Sequence, residues 1–214
     1  MPCTIRFEEA DVVASLDRMR LPRDIMLGIF EATLGERANV TESDPVTTPG
    51  TETWRWGTRF CRDDPQLRQL GWVSCRANQL DGIRNDDLRI KLVVCNTDSF
   101  TGIISKTPRN IAGKGAVSCK LIEQNSYQQN LPFIEVETAP DYSGYDFWNF
   151  CIHASDRAVA AEISRPDEIL GDFIRHFSDR IILCKPGDRP GLRRPGPVPE
   201  EFAEIEKPTL IRKN

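Results

Sequence analysis

Apolar and polar positions change period several times along the 214 residues, and each change marks an element. Val12, Val13, Leu16 and Met19 recur at three- and four-residue spacings, the period of one helix face. Leu21-Pro22 interrupts the run, and Pro22 suits the first turn of a second helix, where a missing N–H loses no bond. Ile25, Met26, Ile29, Phe30 and Leu34 stripe that second helix, and Gly35 is its stop. The pattern predicts an N-terminal helical pair whose apolar faces are core. Residues 37–52, rich in threonine, proline, glycine and acid, read as a loop.

Alternation of period two follows. In TWRWGTRFC, Trp54, Trp56, Thr58 and Phe60 fall on one face and Arg55, Gly57, Arg59 and Cys61 on the other. This predicts a strand with an aromatic face and an arginine face. Asp63-Asp64-Pro65 opens one or two helical turns, and a strand WVSCRA begins at Trp72. Asp81-Gly82 and Asn85-Asp86 supply turn chemistry. The best strand is LRIKLVVCN at 88–96: Leu88, Ile90, Leu92 and Val94 line one face, while Val93 and Cys95 make the other apolar towards its end. Such a strand starts half-exposed and finishes buried, as a central strand does.

A short helix is predicted over 116–125, after Gly113-Lys114-Gly115. Residues 127–145 read as loop with an extended FIEVE in the middle, and FWNFCIHA with AVAAEIS as a hairpin turning at Ser155-Asp156-Arg157. RPDEILGDFIRHF reads as helical or partly so and DRIILC as a last core strand. Five prolines and three glycines in 185–199 make an extended tail, with 200–214 as an edge strand or disordered. The expected fold is α+β, with a mostly antiparallel or mixed central sheet and an N-terminal helical pair. It is organised as one domain over 1–184 and a proline- and glycine-rich tail over 185–214.

Composition narrows the function. A net charge of −4 argues against polyanion binding by the whole surface but leaves room for a local basic site. Seven scattered cysteines, odd in number and never spaced C-x-x-C, read as reduced thiols. With no signal-peptide pattern at the start, they predict a cytoplasmic protein. No apolar run approaches the roughly 18–20 residues that span a bilayer, so no membrane partner is expected.

Basic residues concentrate where acids are missing. Between Ser99 and Ile122 stand Lys106, Arg109, Lys114 and Lys120 and no acidic residue. Gly113 and Gly115 allow close approach of a ligand to a helix N-terminus, where unpaired N–H groups favour phosphate; Lys106, Arg109 and Lys114 add charge. The spacing is not that of a Walker motif. Arg55 and Arg59 extend the patch, and their neighbouring tryptophans suit base stacking.

Three carboxylates are candidate catalytic groups: Asp98, in the oxygen-rich segment after the best strand, Asp141 and Glu162. Pro140-Asp141 is followed after 20 residues by Glu162-Ile163-Ser164. These two fragments resemble the PD-(D/E)XK nuclease pattern, with Ser164 in place of the lysine and Arg165 beside it. The resemblance implies a metal held between carboxylates.

Cys151, His153, His176 and Cys184 allow a zinc reading, although core cysteines and half-buried histidines account for them more simply, and no metal ligand is assigned. No G-x-S-x-G is present, and Cys151, His153 and Asp156 are too local for a triad. No cofactor follows from the sequence. The expected function is binding of nucleic acid or another phosphate ligand, extending to a metal-dependent nuclease. The alternative is a non-catalytic protein-interaction or regulatory subunit.

Overall fold

A computed structural model describes residues 2–76, 80–130 and 144–188, the side chains of 127–130 excepted. The chain is α+β, built on a seven-stranded mixed sheet. Its strands are β1 (Thr4–Arg6), β2 (Trp72–Cys75), β3 (Gly82–Asn85), β4 (Ile90–Asn96), β5 (Asp146–Ala154), β6 (Val159–Leu170) and β7 (Phe173–Cys184). The spatial order is β1-β7-β6-β5-β4-β3-β2. Two pairs are parallel, β1 with β7 and β4 with β5, and the other four are antiparallel.

The helices are α1 (Glu9–Arg18), α2 (Arg23–Arg37), α3 (Thr48–Asp63), α4 (Pro65–Gln69) and α5 (Ala116–Asn130). The first four cover one face of the sheet. Leu16, Met26, Phe30, Cys61 and Leu67 pack there against Leu92, Val94, Phe150, Ile163 and Ile181. The opposite face belongs to α5, whose Leu121 and Ile122 meet Val93, Cys95, Phe147, Cys151 and Phe177. A helix on each face explains why β4 and β5 read as continuous apolar runs. The expected N-terminal helical pair is α1 and α2, and Pro22 stands immediately before α2.

Parallel pairing of β4 with β5 needs a crossover, and α5 is its helix. A single buried amide fixes it to the sheet. Asn125 donates to the carbonyls of Phe147 (2.8 Å) and Pro166 (2.7 Å) and accepts from the Phe147 N–H (3.0 Å).

Several segments differ from their sequence expectation. The loop expected over 37–52 gives way to α3 at Thr48, and α5 runs on to Asn130, past the expected end at 125. Residues 53–61 are helix, not strand. α3 buries Thr53, Gly57 and Cys61, four apart, and Thr58 beside Gly57. Gly57 lies where a Cβ would come within 3.2 Å of Val94, so the helix sits close on β4. Trp56 stacks on Phe60 at 5.4 Å, an i,i+4 contact that only a helix makes. The apparent alternation of Trp54, Trp56, Thr58 and Phe60 is therefore not a sheet pleat.

Residues 165–177, expected to be helical or partly so, belong to the long arms of the β6–β7 hairpin. Pro166 sits at a register shift, where a strand tolerates proline, and Gly171 turns the chain at φ +60°. The turn-rich stretch after Leu80 holds a strand, β3. The extended FIEVE segment and the tail beyond 188 lie outside the described residues. Among the described residues no helix is long and apolar enough to cross a membrane.

Asn125→Ala leaves buried backbone groups of β5 and β6 unpaired. It is expected to lower the unfolding free energy by about 1–3 kcal/mol, measured by urea denaturation.

Candidate functional site

The segment 97–115 leaves the carboxyl end of β4 and returns to start α5, and it is tightly held. Its two arms pair: the Asp98 N–H donates to Arg109 (3.0 Å), the Ile111 N–H donates to Asn96 (3.0 Å), and Thr97 bridges Asn110. Asp98, half-buried, closes the turn by accepting from the N–H groups of Phe100 (3.1 Å) and Arg109 (3.2 Å). Asn110 donates to the carbonyls of Ala112 (2.7 Å) and Asp172 (3.0 Å), which ties the returning arm to the β6–β7 turn.

Beneath the loop lies a buried ion pair. Glu162 and Arg180 are 0% and 2% exposed. Arg180 donates Nε to Oε1 (2.8 Å) and Nη2 to Oε2 (2.6 Å) of Glu162. The carboxylate also accepts from the Ser164 hydroxyl (2.7 Å) and the Gly102 N–H (2.8 Å). The guanidinium reaches the loop carbonyls of Lys106 (2.6 Å) and Ile103 (3.3 Å). Gly102, at φ +74°, has no room for a side chain, since a Cβ would meet the Cys184 carbonyl at 2.7 Å.

Four donors therefore saturate Glu162, and Asp98 is engaged in a turn, while Asp141 lies outside the described residues. Glu162 acts as a loop anchor. Among the described residues no group of three or more His, Cys, Asp or Glu side chains is placed to hold a metal ion. Of the zinc candidates, His153 Nδ1 faces the Thr97 carbonyl (3.1 Å) and His176 pairs with Asp167 (2.6 Å). Cys184 belongs to the core on the other face from Cys151.

Two concavities adjoin one another, sharing Trp54 and Asp81. The larger, about 810 Å³, has Val93 to Thr97 at the end of β4 as its floor, with Pro49, Gly50 and Thr53 of α3 on one side. Gly113, Lys114, Gly115 and Ser118, at the start of α5, close the other side. Its volume is within the about 300–1,000 Å³ of small-molecule sites. It lies outside the carboxyl end of a strand in the parallel β4–β5 pair and at a helix N-terminus, where open α/β sheets hold ligands.

The smaller concavity, about 560 Å³, is lined by Arg55, Arg59, Arg62, Arg68 and Arg76 against Asp63 and Asp81. Arg62 is fixed by the carbonyls of Gly82 (3.1 Å) and Cys75 (2.8 Å) and by Asp81 (2.6 Å). Arg55 and Arg59 each lie 4.9 Å from the centre of the Trp56 ring, and Trp56 Nε1 donates to Glu52 (2.8 Å). Trp54, 40% exposed, stands where the two concavities meet.

Of the residues singled out in the sequence, Arg55 and Arg59 thus share one concavity, and Gly113, Lys114 and Gly115 share the other. Exposed Lys106 and Arg109 line neither. The lysine of the glycine pair turns inward: Lys114 Nζ lies 3.1 Å from Cys95 Sγ. A hydrogen bond from Cys151, and then the ammonium of Lys114, hold the Cys95 thiol below its ordinary range against the effect of burial. The Cys151 thiol is pushed up by burial and by that same bond.

Sequence reasoning missed Arg180, the contribution of Arg62, Arg68 and Arg76, and the Cys95–Lys114 contact. Placing Cys95 on the buried face of the best strand was the only signal for the last. No protein-family model, curated protein or solved structure matches the chain. The fold and site define an α+β protein with two adjoining concavities, one basic and one at a strand–helix junction.

Removing one ion of a buried pair strands the other. Arg180→Leu is expected to destabilise the protein by about 3–5 kcal/mol, and Glu162→Leu combined with Arg180→Leu to recover part of that stability. Thermal denaturation of the three proteins checks this.

Proposed function

We propose that the protein binds single-stranded nucleic acid, its phosphates along the arginine concavity and one nucleotide in the adjoining cavity. The observation that carries this reading is the junction: five arginines against two aspartates open directly onto a cavity of about 810 Å³. Arginine suits phosphate because its planar fork donates two parallel bonds. The exposed ring of Trp54 offers a stacking surface at the point where a backbone would leave the basic groove. A single strand is favoured over a duplex in this reading because its unstacked bases are free to enter a concavity.

In the cavity, the N–H groups at the start of α5 favour a phosphate, and Gly115 has open space beside it. The acidic net charge of −4 is compatible with such a patch and disfavours binding elsewhere on the surface. The support from the nuclease-like fragments is weaker, because Glu162 has no free lone pair directed at a metal. A cytoplasmic location belongs to this same reading, resting on the seven free thiols.

Fluorescence anisotropy with a labelled single-stranded oligonucleotide across a salt series tests the proposal. Three or four phosphate contacts give a slope of log affinity against log salt of roughly −2 to −3, at about −0.7 per contact on a single strand. Arg55→Ala combined with Arg59→Ala should flatten that slope by roughly 0.7 for each arginine that holds a phosphate. Binding that ignores salt, or that these substitutions leave unchanged, would overturn the proposal and favour a protein partner.

A further inference from the structure

Cys95 and Cys151 are directly opposite in the parallel β4–β5 register and lie on the same face of the sheet. Neighbouring strands are about 4.7–4.9 Å apart, inside the roughly 4.4–6.8 Å between Cα atoms that a disulfide spans. Cys95 also forms part of the wall of the larger cavity, where Lys114 Nζ stands 3.1 Å from its sulfur. An ammonium beside one thiol, and a second thiol beside that, form a cluster whose chemistry goes beyond filling the core under α5.

We propose that Cys95 is a reactive thiolate in the cavity wall, oxidised by a small hydroperoxide, with Cys151 completing the reaction as an intramolecular disulfide. Three features favour this chemistry. Thiolate is the attacking form, and a neighbouring lysine stabilises it. A resolving cysteine next to the reactive one diverts the sulfenic acid from further oxidation. The sulfur-bearing residue is only 5% exposed, which admits a small neutral oxidant more readily than a bulky disulfide.

The groups facing Cys95 are Lys114 from the loop and Cys151 from β5. Glu162 on β6 stands behind Cys151, with its charge matched by Arg180. From α5, Cys119 is turned to the Lys114 carbonyl (3.6 Å). Lys114 is thus a cation in contact with Cys95, and it adds to the hydrogen bond from Cys151 in favouring the thiolate.

In the first step a lone pair of Cys95 Sγ attacks one peroxide oxygen and the O–O bond breaks. The second oxygen leaves as alkoxide or hydroxide and takes a proton, and Cys95 becomes a sulfenic acid. In the second step Cys151 sulfur attacks Cys95 sulfur, and the displaced hydroxide leaves with the Cys151 proton as water. Two thiols have lost two electrons and two protons, and the peroxide has accepted them. The products are one disulfide, one alcohol (or water) and one water.

The reduced full chain, treated with stoichiometric hydrogen peroxide, blocked with N-ethylmaleimide and mapped by mass spectrometry, tests the inference. The expected product is a peptide pair joining Cys95 to Cys151, two hydrogens lighter than the thiols. Cys151→Ser should instead accumulate a sulfenic acid at Cys95, trapped by dimedone. Because that variant also changes a packed core position, the wild type is alkylated with iodoacetamide over a pH series.

Cys3 and Cys119 are more open to this reagent, but burial pushes their thiols up, in Cys3 to about 11, so the pH at which the rate levels off, not the order of reaction, distinguishes Cys95. Its rate should level off at lower pH than theirs, since its thiolate forms first. Lys114→Met should move that plateau to higher pH and slow peroxide oxidation several-fold. Peroxide oxidation of Cys3 or Cys119 ahead of Cys95 would overturn the inference. So would a Cys95 profile that Lys114→Met leaves in place.

Discussion

The ion pair between Glu162 and Arg180 is the constraint on which the candidate site depends. Taking both charges out of water costs several kcal/mol per ion, and their attraction offsets this only when geometry is good and the remaining donors and acceptors are filled. Here they are. The two-pronged contact uses both carboxylate oxygens, Ser164 and Gly102 complete the carboxylate, and two loop carbonyls complete the guanidinium. The pair therefore does more than join β6 to β7. It fastens the loop that connects β4 to α5, so the start of α5 emerges at a defined place beside the end of β4.

The two concavities follow from that placement. The β4–α5–β5 crossover sets a helix N-terminus against the carboxyl end of β4, and α3 crosses the other side, brought close by Gly57 against Val94. Arginines spaced along α3 and α4, together with Arg76 after β2, then face a common space next to the cavity. Both faces of the sheet contribute: the α3 side supplies charge and the α5 side supplies backbone donors. Cys95 occupies the pleat where β4 turns towards α5, which is why its sulfur meets both Lys114 and Cys151.

Much of this architecture was legible in the residues. The stripes of α1 and α2, the central burial of β4 and the hairpin about Asp156 follow from periodicity alone, because each element buries one face. Periodicity failed where two periods fit the same letters. Trp54, Trp56, Thr58 and Phe60 alternate as a strand would, yet Thr53, Gly57 and Cys61 also mark a helix face, and contact with Val94 selects the helix. RPDEILGDFIRHF carries helical spacing, but pairing with a neighbouring strand outweighs it. The glycine–lysine–glycine loop was legible as the segment that leads into α5. Its lysine's inward turn to Cys95, and the partnership of Glu162 with Arg180, join residues 19 and 18 positions apart through folding, and no local spacing encodes them.

On the proposed reading the two concavities form one ligand site, positioned by the anchored loop. Amide and indole NMR spectra of the protein titrated with a short single-stranded oligonucleotide test it most directly. The amides of Gly113, Gly115 and Ser118 and the indole N–H of Trp54 should shift together and saturate at one ligand concentration. Shifts confined to the α1–α2 surface, or a Trp54 signal that moves while the start of α5 stays still, would contradict it.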